Sequence, residues 1–359
     1  MINAQPFLHF RPQLRGAKEQ NTPRMKIRVS EAVALAEAAL QKMGYKPHDA
    51  TITARHLIDS ELRGFGAAGL ARVLSIRDRL REKGLKDEIT KTLESPSTAQ
   101  LNGHDSLGYL VAQKATEIAI QKAKQTGVAV VGASDTWYTG MLAYYAEQAA
   151  REDLVTVIAS NASPWVAPSD GYKPMFGTNP FCVGFPSGTG TPVIYDVGTS
   201  KILHADILLA QRLGEPLPPD SAYDSAGRVT RDPIEALQGA IAVWGGHRGS
   251  GLAITVQLLG ALAGSPALPG NLEEFGFLII AINPAMFRPI DEFKAEIDAY
   301  SAKLRQSPPL PGKGPLRMPY ERSAAVRARA VESGEFEVQD EIVDMLRRMI
   351  NSEGPRASI

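Results

Sequence analysis

The spacing of apolar residues changes near Gly127, and this change limits the folds that the chain can adopt. Before that point, apolar residues recur every three or four positions, as in amphipathic helices. After it, short apolar and β-branched runs alternate with helical segments, which is typical of buried strands in an α/β sheet. The pattern therefore predicts a helical lobe followed by an α/β lobe.

Four helices are predicted in the first lobe. One begins at Ser30, a favourable N-cap, and ends at Gly44. A second follows Asp49 and extends to residue 62, a third covers about residues 70–80, and a long fourth begins at Ser106. The elbow after the second helix is rich in glycine, which permits close approach of a ligand.

The second lobe and the segment after it complete the predicted organisation. Strands are expected at residues 127–131, 155–159, 181–185, 193–195 and 277–281, and helices at 141–151 and 251–263. Further helices are expected to begin near Pro289 and to cover 338–351, with a Pro-rich crossing at 308–319. These elements divide the chain into an N-terminal extension (1–24), a helical lobe (25–126), an α/β lobe (127–288) and C-terminal helices that return to the first lobe (289–359).

Composition excludes several classes of partner. The 359 residues carry a net charge of zero without a run of Lys or Arg, so neither nucleic acid nor an anionic membrane is expected as a partner. The longest apolar run, residues 252–263, is too short to span a bilayer. Cys182 is the only cysteine, which excludes an internal disulfide and favours a cytoplasmic location. No His, Cys or Asp cluster has the spacing of metal ligands.

The most informative motif lies at residues 62–72, LRGFGAAGLAR, in the elbow between the second and third helices. Three further blocks follow in order: SNASPWVAPSDGYKPMFGTNP (160–180), YDVGTS (195–200) and GGHRGSGLA (245–253). Together they resemble the malate/L-lactate dehydrogenase family of the non-Rossmann type. Its members include ureidoglycolate and sulfolactate dehydrogenases, diketogulonate reductase, and piperideine- and pyrroline-2-carboxylate reductases.

The resemblance implies a fold and roles for particular residues. It predicts an NAD(P)-binding mixed sheet that is not a Rossmann fold, with a helical substrate lobe built from N- and C-terminal segments. In the family the elbow carries a Ser-His pair for proton transfer, at the positions of Ala67 and Ala68. The resemblance implies that Arg72 and Ser160 bind the substrate, and that Asp196 matches the acid that orients the family histidine.

The cofactor residues also follow from the resemblance, since a Rossmann fingerprint is absent: Gly249-Ser250-Gly251 has no third glycine in place. NAD or NADP is expected to contact four segments. These are Tyr138, Thr139, Gly140, Met141 and Leu142 before a helix whose free N–H groups suit a phosphate; Thr178, Asn179 and Pro180; His247 and Arg248; and Tyr320, Glu321 and Arg322.

Three hypotheses address the missing acid, because Ala67 and Ala68 cannot donate a proton. The first is a ketimine reductase, whose protonated substrate needs only hydride and a carboxylate clamp. The second is a 2-hydroxy acid dehydrogenase with a relocated donor, with Tyr138, His204 or His247 as candidates. The third is a catalytically silent NAD(P)-binding protein.

The other histidines and the assembly complete the expectations. His9, His48, His56 and His104 are expected at the surface, whereas His204 or Lys201 could point into the cleft. A homodimer is expected from the resemblance and from the scarcity of charge on the helices around Tyr144 and Leu258.

Overall fold

The computed structural model describes residues 23–352. Segments 1–22 and 353–359 therefore lie outside the described residues, together with His9 and nearly all of the predicted N-terminal extension. The described part forms eleven α-helices and thirteen strands. The helices are α1 (Val29–Lys42), α2 (Pro47–Leu62), α3 (Ala71–Lys83), α4 (Gly108–Thr126), α5 (Leu142–Arg151), α6 (His204–Leu213), α7 (Pro233–Gln238), α8 (Gly246–Leu262), α9 (Ile290–Gln306), α10 (Glu321–Ser333) and α11 (Asp340–Asn351). The strands are β1 (Arg24–Arg28), β2 (Thr90–Glu94), β3 (Thr98–Leu107), β4 (Val128–Trp137), β5 (Val155–Ser160), β6 (Val166–Ala167), β7 (Phe181–Phe185), β8 (Val193–Val197), β9 (Ala222–Tyr223), β10 (Val229–Thr230), β11 (Ala240–Ala242), β12 (Phe275–Ile282) and β13 (Glu335–Gln339).

A seven-stranded mixed sheet forms the centre of the α/β lobe, in the order β2-β3-β4-β12-β5-β7-β8. The β3–β4 pair is parallel and the other neighbours are antiparallel. Helices α4 and α5 cover one face, where Phe277 and Ile279 enter the core. Helix α8 crosses the other face, since Gly276 packs directly against Gly260. The predicted mixed, non-Rossmann sheet is confirmed.

The helical lobe joins the two ends of the described chain. Strand β1 pairs antiparallel with β13, and α1, α2 and α3 share one apolar core with α11. This confirms the prediction that N- and C-terminal segments build the helical lobe together. A third, smaller core lies around the sheet β10-β9-β11-β6 with α6 and α7, which the sequence prediction did not include.

Several local predictions were wrong. Residues 90–107 were assigned to the helical lobe, but they form β2 and β3 of the large sheet, and Ser106 lies in a strand rather than at a helix start. Helix α9 does not return to the first lobe, since Lys294 pairs with Asp153 and Asp298 accepts the Gly188 N–H, both beside the large sheet. Helix α10 was not predicted, and the segment 335–339 before α11 is a strand.

No helix among the described residues combines the length and the apolar character needed to cross a membrane.

Candidate active site

A cavity of about 530 Å³ separates the helical lobe from the large sheet. Most of the residues that the sequence predicted for substrate and cofactor line it. These are Arg72, Tyr138, Thr139, Gly140, Met141, Leu142, Ser160, Thr178, Pro180, Asp196, His204, Tyr320 and Arg322. Residues that were not predicted also line it, among them Tyr109, Asn161, Trp165 and Phe275.

The elbow motif forms part of the helical wall. Residues Gly66–Ala68 make a single 3-10 turn between α2 and α3. The turn packs on the buried carboxyl of Glu61, which accepts the Leu70 N–H at 2.8 Å and lies where a Cβ on Gly69 would be, 2.0 Å away. Burial raises the pKa of Glu61 to about 7. Ala68 lines the cavity, so a methyl group stands there at the position of the family histidine.

Arg72 is the main hydrogen-bond donor of the helical wall. It is 8% exposed, and its guanidinium lies 4.1 Å from the centre of the Tyr138 ring, a cation–π distance. Its Nε and Nη1 atoms are buried without a hydrogen-bond partner among the described residues. Leaving such donors unpaired is costly, so the site suits an anion that binds them.

The hydroxyl groups on the sheet wall already donate their protons in hydrogen bonds within the protein. Ser160 donates to the Gly276 carbonyl at 2.9 Å, and its oxygen lies 2.9 Å from that of Thr139. A hydroxyl has one proton, so Thr139 is the donor in the second bond. The pair therefore presents oxygen lone pairs to the cavity rather than acidic protons.

Asp196 supplies a carboxyl group on the sheet wall. It lies on β8 and accepts the Ala143 N–H at 2.8 Å and the Leu142 N–H at the start of α5. Burial raises its pKa to about 6, and the two N–H groups oppose this shift. Among the described residues it has no cationic partner, which fits the missing family histidine.

His204 also faces the cavity, but it is a poor acid. Its ring stacks on Trp165 with centroids 3.9 Å apart and an angle of 11°. Burial, followed by the charge of Arg72, lowers its pKa to about 3. The imidazole is therefore neutral at physiological pH and carries no proton of suitable acidity.

Five predicted residues lie elsewhere. His247 and Arg248 are exposed in the first turn of α8, outside the cavity lining, and Lys201 is exposed and donates to the Asp220 carbonyl at 2.8 Å. Asn179 is buried and donates to the Ala253 carbonyl and to Gln257, which ties the loop to α8. Glu321 pairs with Arg305.

The start of α5 is not open to a phosphate. Asp196 already binds the Leu142 and Ala143 N–H groups, and the Met141 N–H donates to His56 Nε2 at 2.9 Å. The prediction for His56 was also wrong: it is 1% exposed, packs among Tyr109, Tyr144 and Tyr145, and burial lowers its pKa to about 3. His104 is half-buried and binds Thr90, whereas His48 is exposed as expected.

The rim of the cavity offers a different place for a charged group. Tyr320 donates to Glu147 at 2.5 Å, and Arg63 lies 4.6 Å above its ring, which fixes the start of α10. Arg322 follows on the exposed rim and takes part in no ion pair among those of the described residues. A mainly apolar cavity with an unpaired cation at its mouth fits a nicotinamide dinucleotide, with the ring inside and a phosphate near Arg322.

Comparison with known proteins agrees with this geometry. The model of the malate/L-lactate dehydrogenase family matches residues 27–347. The chain belongs to that family. It is 36% identical to L-sulfolactate dehydrogenase from Methanothermobacter thermautotrophicus, over 79% of this chain and 86% of the relative. It is 31% identical to Delta(1)-pyrroline-2-carboxylate reductase 2 from Burkholderia multivorans, over 89% of this chain and 96% of that one.

A solved structure extends the match to three dimensions. A dehydrogenase from Sinorhizobium meliloti superposes with a TM-score of 0.83 at 32% identity, covering 92% of this chain and 99% of that one. The predicted family is thus confirmed. As a member of it, the protein is an oxidoreductase that depends on NAD or NADP.

Proposed function

We propose that the protein reduces a small cyclic 2-imino acid with NAD(P)H. The observation that carries the proposal is the distribution of charge in the cavity. Unpaired donors of Arg72 lie on one wall, the Asp196 carboxyl lies on the other, and only a methyl group stands at the histidine position. A protonated imino acid has matching charges, a carboxylate and an iminium N–H.

The carboxylate binds on the helical wall. Its two oxygens accept from Arg72, whose planar fork suits a carboxylate. The Tyr138 ring under the guanidinium holds that fork in place. A hydrogen bond to a charged group contributes about 1.5–3 kcal/mol, so this contact favours ligands that carry a carboxylate over those that do not.

Asp196 binds the iminium side. With a pKa of about 6, its carboxyl is mostly ionised at pH 7 and accepts from a cationic N–H. The same negative charge would oppose the alkoxide that forms when a 2-oxo acid is reduced. Asp196 therefore favours an imine over a ketone at the reacting carbon.

The cofactor, when bound, supplies the hydride, and the imine substrate brings the proton itself. The residues of the chain then have to bind, orient and exclude water. Trp165, Phe275 and Ala68 give the cavity apolar surfaces that keep water from the reacting carbon. Arg322 at the mouth is the residue that we assign to a phosphate of the cofactor.

Reduction of a 2-oxo acid is the second candidate, because Tyr138 lines the cavity beside Arg72 and carries a hydroxyl. A positioned acid typically contributes about 10²–10⁴-fold. The other two candidate donors fit this role less well, because His247 lies outside the cavity lining and His204 is neutral.

A substrate panel tests the proposal. Oxidation of NADPH and NADH is followed at saturating cofactor with pyrroline-2-carboxylate, piperideine-2-carboxylate, pyruvate and oxaloacetate. We expect kcat/KM for the two imino acids to exceed that for the oxo acids by at least about 10²-fold, the size of one general-acid contribution. Faster turnover of an oxo acid contradicts the proposal and directs attention to Tyr138. Binding of NADPH without turnover of any substrate favours a silent binding protein.

A homodimer in the cytoplasm remains part of the proposal. Helix α8 exposes Ile254, Leu258 and Leu262 by 49%, 60% and 72%, and their four-residue spacing makes one apolar stripe. Tyr144 does not contribute to such a surface, since it packs against His56. Sedimentation at micromolar concentration should give twice the mass of the chain, and Leu258→Glu should shift the protein to monomer. A monomeric wild-type protein contradicts the dimer.

A further inference from the structure

We propose that Tyr109 is a substrate-binding residue which, with Arg72, forms a two-residue clamp for the substrate carboxylate. This inference rests on the proposed function for the identity of the substrate. Neither the elbow motif nor the three sequence blocks include Tyr109, which is the second residue of α4.

The position of the Tyr109 ring is fixed on several sides. It is 2% exposed, and the His56 ring lies edge-on to it with centroids 4.7 Å apart. Gly140 has a φ of +80°, and a Cβ there would lie 2.4 Å from Tyr109 Cε1 and 2.5 Å from His56 Nε2. Glycine at 140 thus leaves the space that both rings fill. A ring held in this way loses little further freedom when a ligand binds.

Tyr109 and Arg72 line the cavity together, and the guanidinium is near enough for its charge to act on the Tyr109 hydroxyl. Burial raises its pKa to about 12, although the charge of Arg72 acts in the opposite direction, so the hydroxyl keeps its proton. A guanidinium has only donors, so it cannot accept the hydroxyl proton of Tyr109, which remains for another acceptor. Tyr109 lines the cavity, and no carbonyl or carboxylate of the described residues accepts that proton.

Three donors therefore lie together on one wall: Nε and Nη1 of Arg72 and the Tyr109 hydroxyl. A carboxylate has lone pairs enough for all three. The Tyr138 ring lies below the guanidinium and supports it. The clamp therefore consists of two donors from Arg72 and one from Tyr109. A ligand without a carboxylate leaves these donors unpaired and is disfavoured.

The test compares Tyr109→Phe with Tyr45→Phe. Both remove the hydroxyl of a buried tyrosine with a raised pKa, but Tyr45 does not line the cavity. Calorimetry of the NADPH-loaded enzyme with pyrrole-2-carboxylate measures binding without turnover. We expect Tyr109→Phe to raise Kd roughly tenfold or more, as for a lost hydrogen bond to a charged group, and Tyr45→Phe to leave it within twofold.

Kinetics with and without the carboxylate separate binding from a merely structural role. For pyrroline-2-carboxylate, Tyr109→Phe should raise KM and leave kcat nearly unchanged, whereas turnover of 1-pyrroline, which has no carboxylate, should not change. An equal loss with both substrates, an unchanged Kd in Tyr109→Phe, or a wild-type enzyme that does not bind pyrrole-2-carboxylate would overturn the clamp. If the wild type binds that probe through Tyr109 but reduces no imine, the proposed function fails and the clamp stands.

Discussion

The two walls of the cavity differ in what they offer to a ligand. The helical wall offers donors, Arg72 and Tyr109, whereas the sheet wall offers the Asp196 carboxyl and hydroxyls whose protons are already bound. Relative to the family motif, the departures at Ala67 and Ala68 concern the helical wall alone. The difference teaches that groups for binding charge and groups for donating a proton occupy separate positions in this site, so one set can change without the other.

Removal of the donor side should have the largest effect. Arg72→Ala should lower kcat/KM for a 2-imino acid by about 30- to 1000-fold, as expected for roughly 2–4 kcal/mol from a buried charge-assisted pair. Arg72→Lys should restore only part of the lost kcat/KM, because lysine keeps the positive charge but lacks the forked geometry of the guanidinium. Steady-state kinetics of Arg77→Ala, a half-buried arginine of the same helix that does not line the cavity, provide the comparison. Wild-type behaviour of Arg72→Ala with every acid would refute the assignment.

Removal of the acceptor side should lower activity and raise stability. The pKa of Asp196 is about 6 in the folded protein against an ordinary value of 3.8, so ionisation of this buried carboxyl opposes folding. The cost is absent below about pH 4 and complete above about pH 6. Asp196→Asn should thus gain roughly 1–3 kcal/mol at pH 7 while losing about tenfold or more in kcat/KM. Thermal unfolding at pH 4 and pH 7 measures the gain in stability, and steady-state kinetics measure the loss in kcat/KM. An Asp196→Asn variant that keeps full activity would contradict the role of Asp196 in binding the substrate.

Restoring the acid to the helical wall should have a moderate effect. Ala67→Ser with Ala68→His should raise the rate of reduction of a 2-oxo acid about tenfold, because Asp196 is available to orient the imidazole; this is less than the full contribution of a positioned acid, about 10²–10⁴-fold. The gain is limited since the elbow also departs from the motif at Gly66. Initial rates with pyruvate and oxaloacetate test this, with Ala67→Ser alone as the control. No gain in a folded variant would show that the position of Ala68 does not determine proton donation.

Glu61 provides a matched contrast with Asp196 and the smallest effect on activity. Burial raises its pKa to about 7 from 4.5, but it supports the elbow from below and does not line the cavity. Glu61→Gln should therefore gain roughly 1–3 kcal/mol above pH 7, less at pH 5, with kcat/KM within a few-fold of wild type. Urea unfolding at pH 8 and at pH 5 measures this gain in the free energy of unfolding. Destabilisation at pH 8 would mean that the ionised carboxylate is required to hold Leu70.

The sequence predicted the family, the mixed sheet and somewhat under half of the residues that line the cavity, because these depend on local motifs and on apolar periodicity. It misplaced residues 90–107, because the edge strand β2 is mostly exposed and polar, and the inner strand β3 has only Ala99 and Leu101 as alternating apolar residues before Leu107. It also missed hydrogen bonds that occupy donor and acceptor atoms of the site. The N–H groups of α5 are bound by Asp196 and His56, and Asn179 ties a loop to α8, and each partner is distant in sequence. Tyr109 could have been suspected only as a large aromatic residue directly after Gly108.

The pH dependence of kcat/KM with two different imino acids tests the central claim most directly, namely that the substrate brings its own proton. We expect the rate to fall as pH rises past the pKa of the imine, and the midpoint of this limb to move when pyrroline-2-carboxylate is replaced by piperideine-2-carboxylate. A second limb near pH 6, on the acidic side, should report ionisation of Asp196 and disappear in Asp196→Asn. A basic limb that keeps one midpoint with both substrates would mean that a group of the protein donates the proton, and would contradict the account.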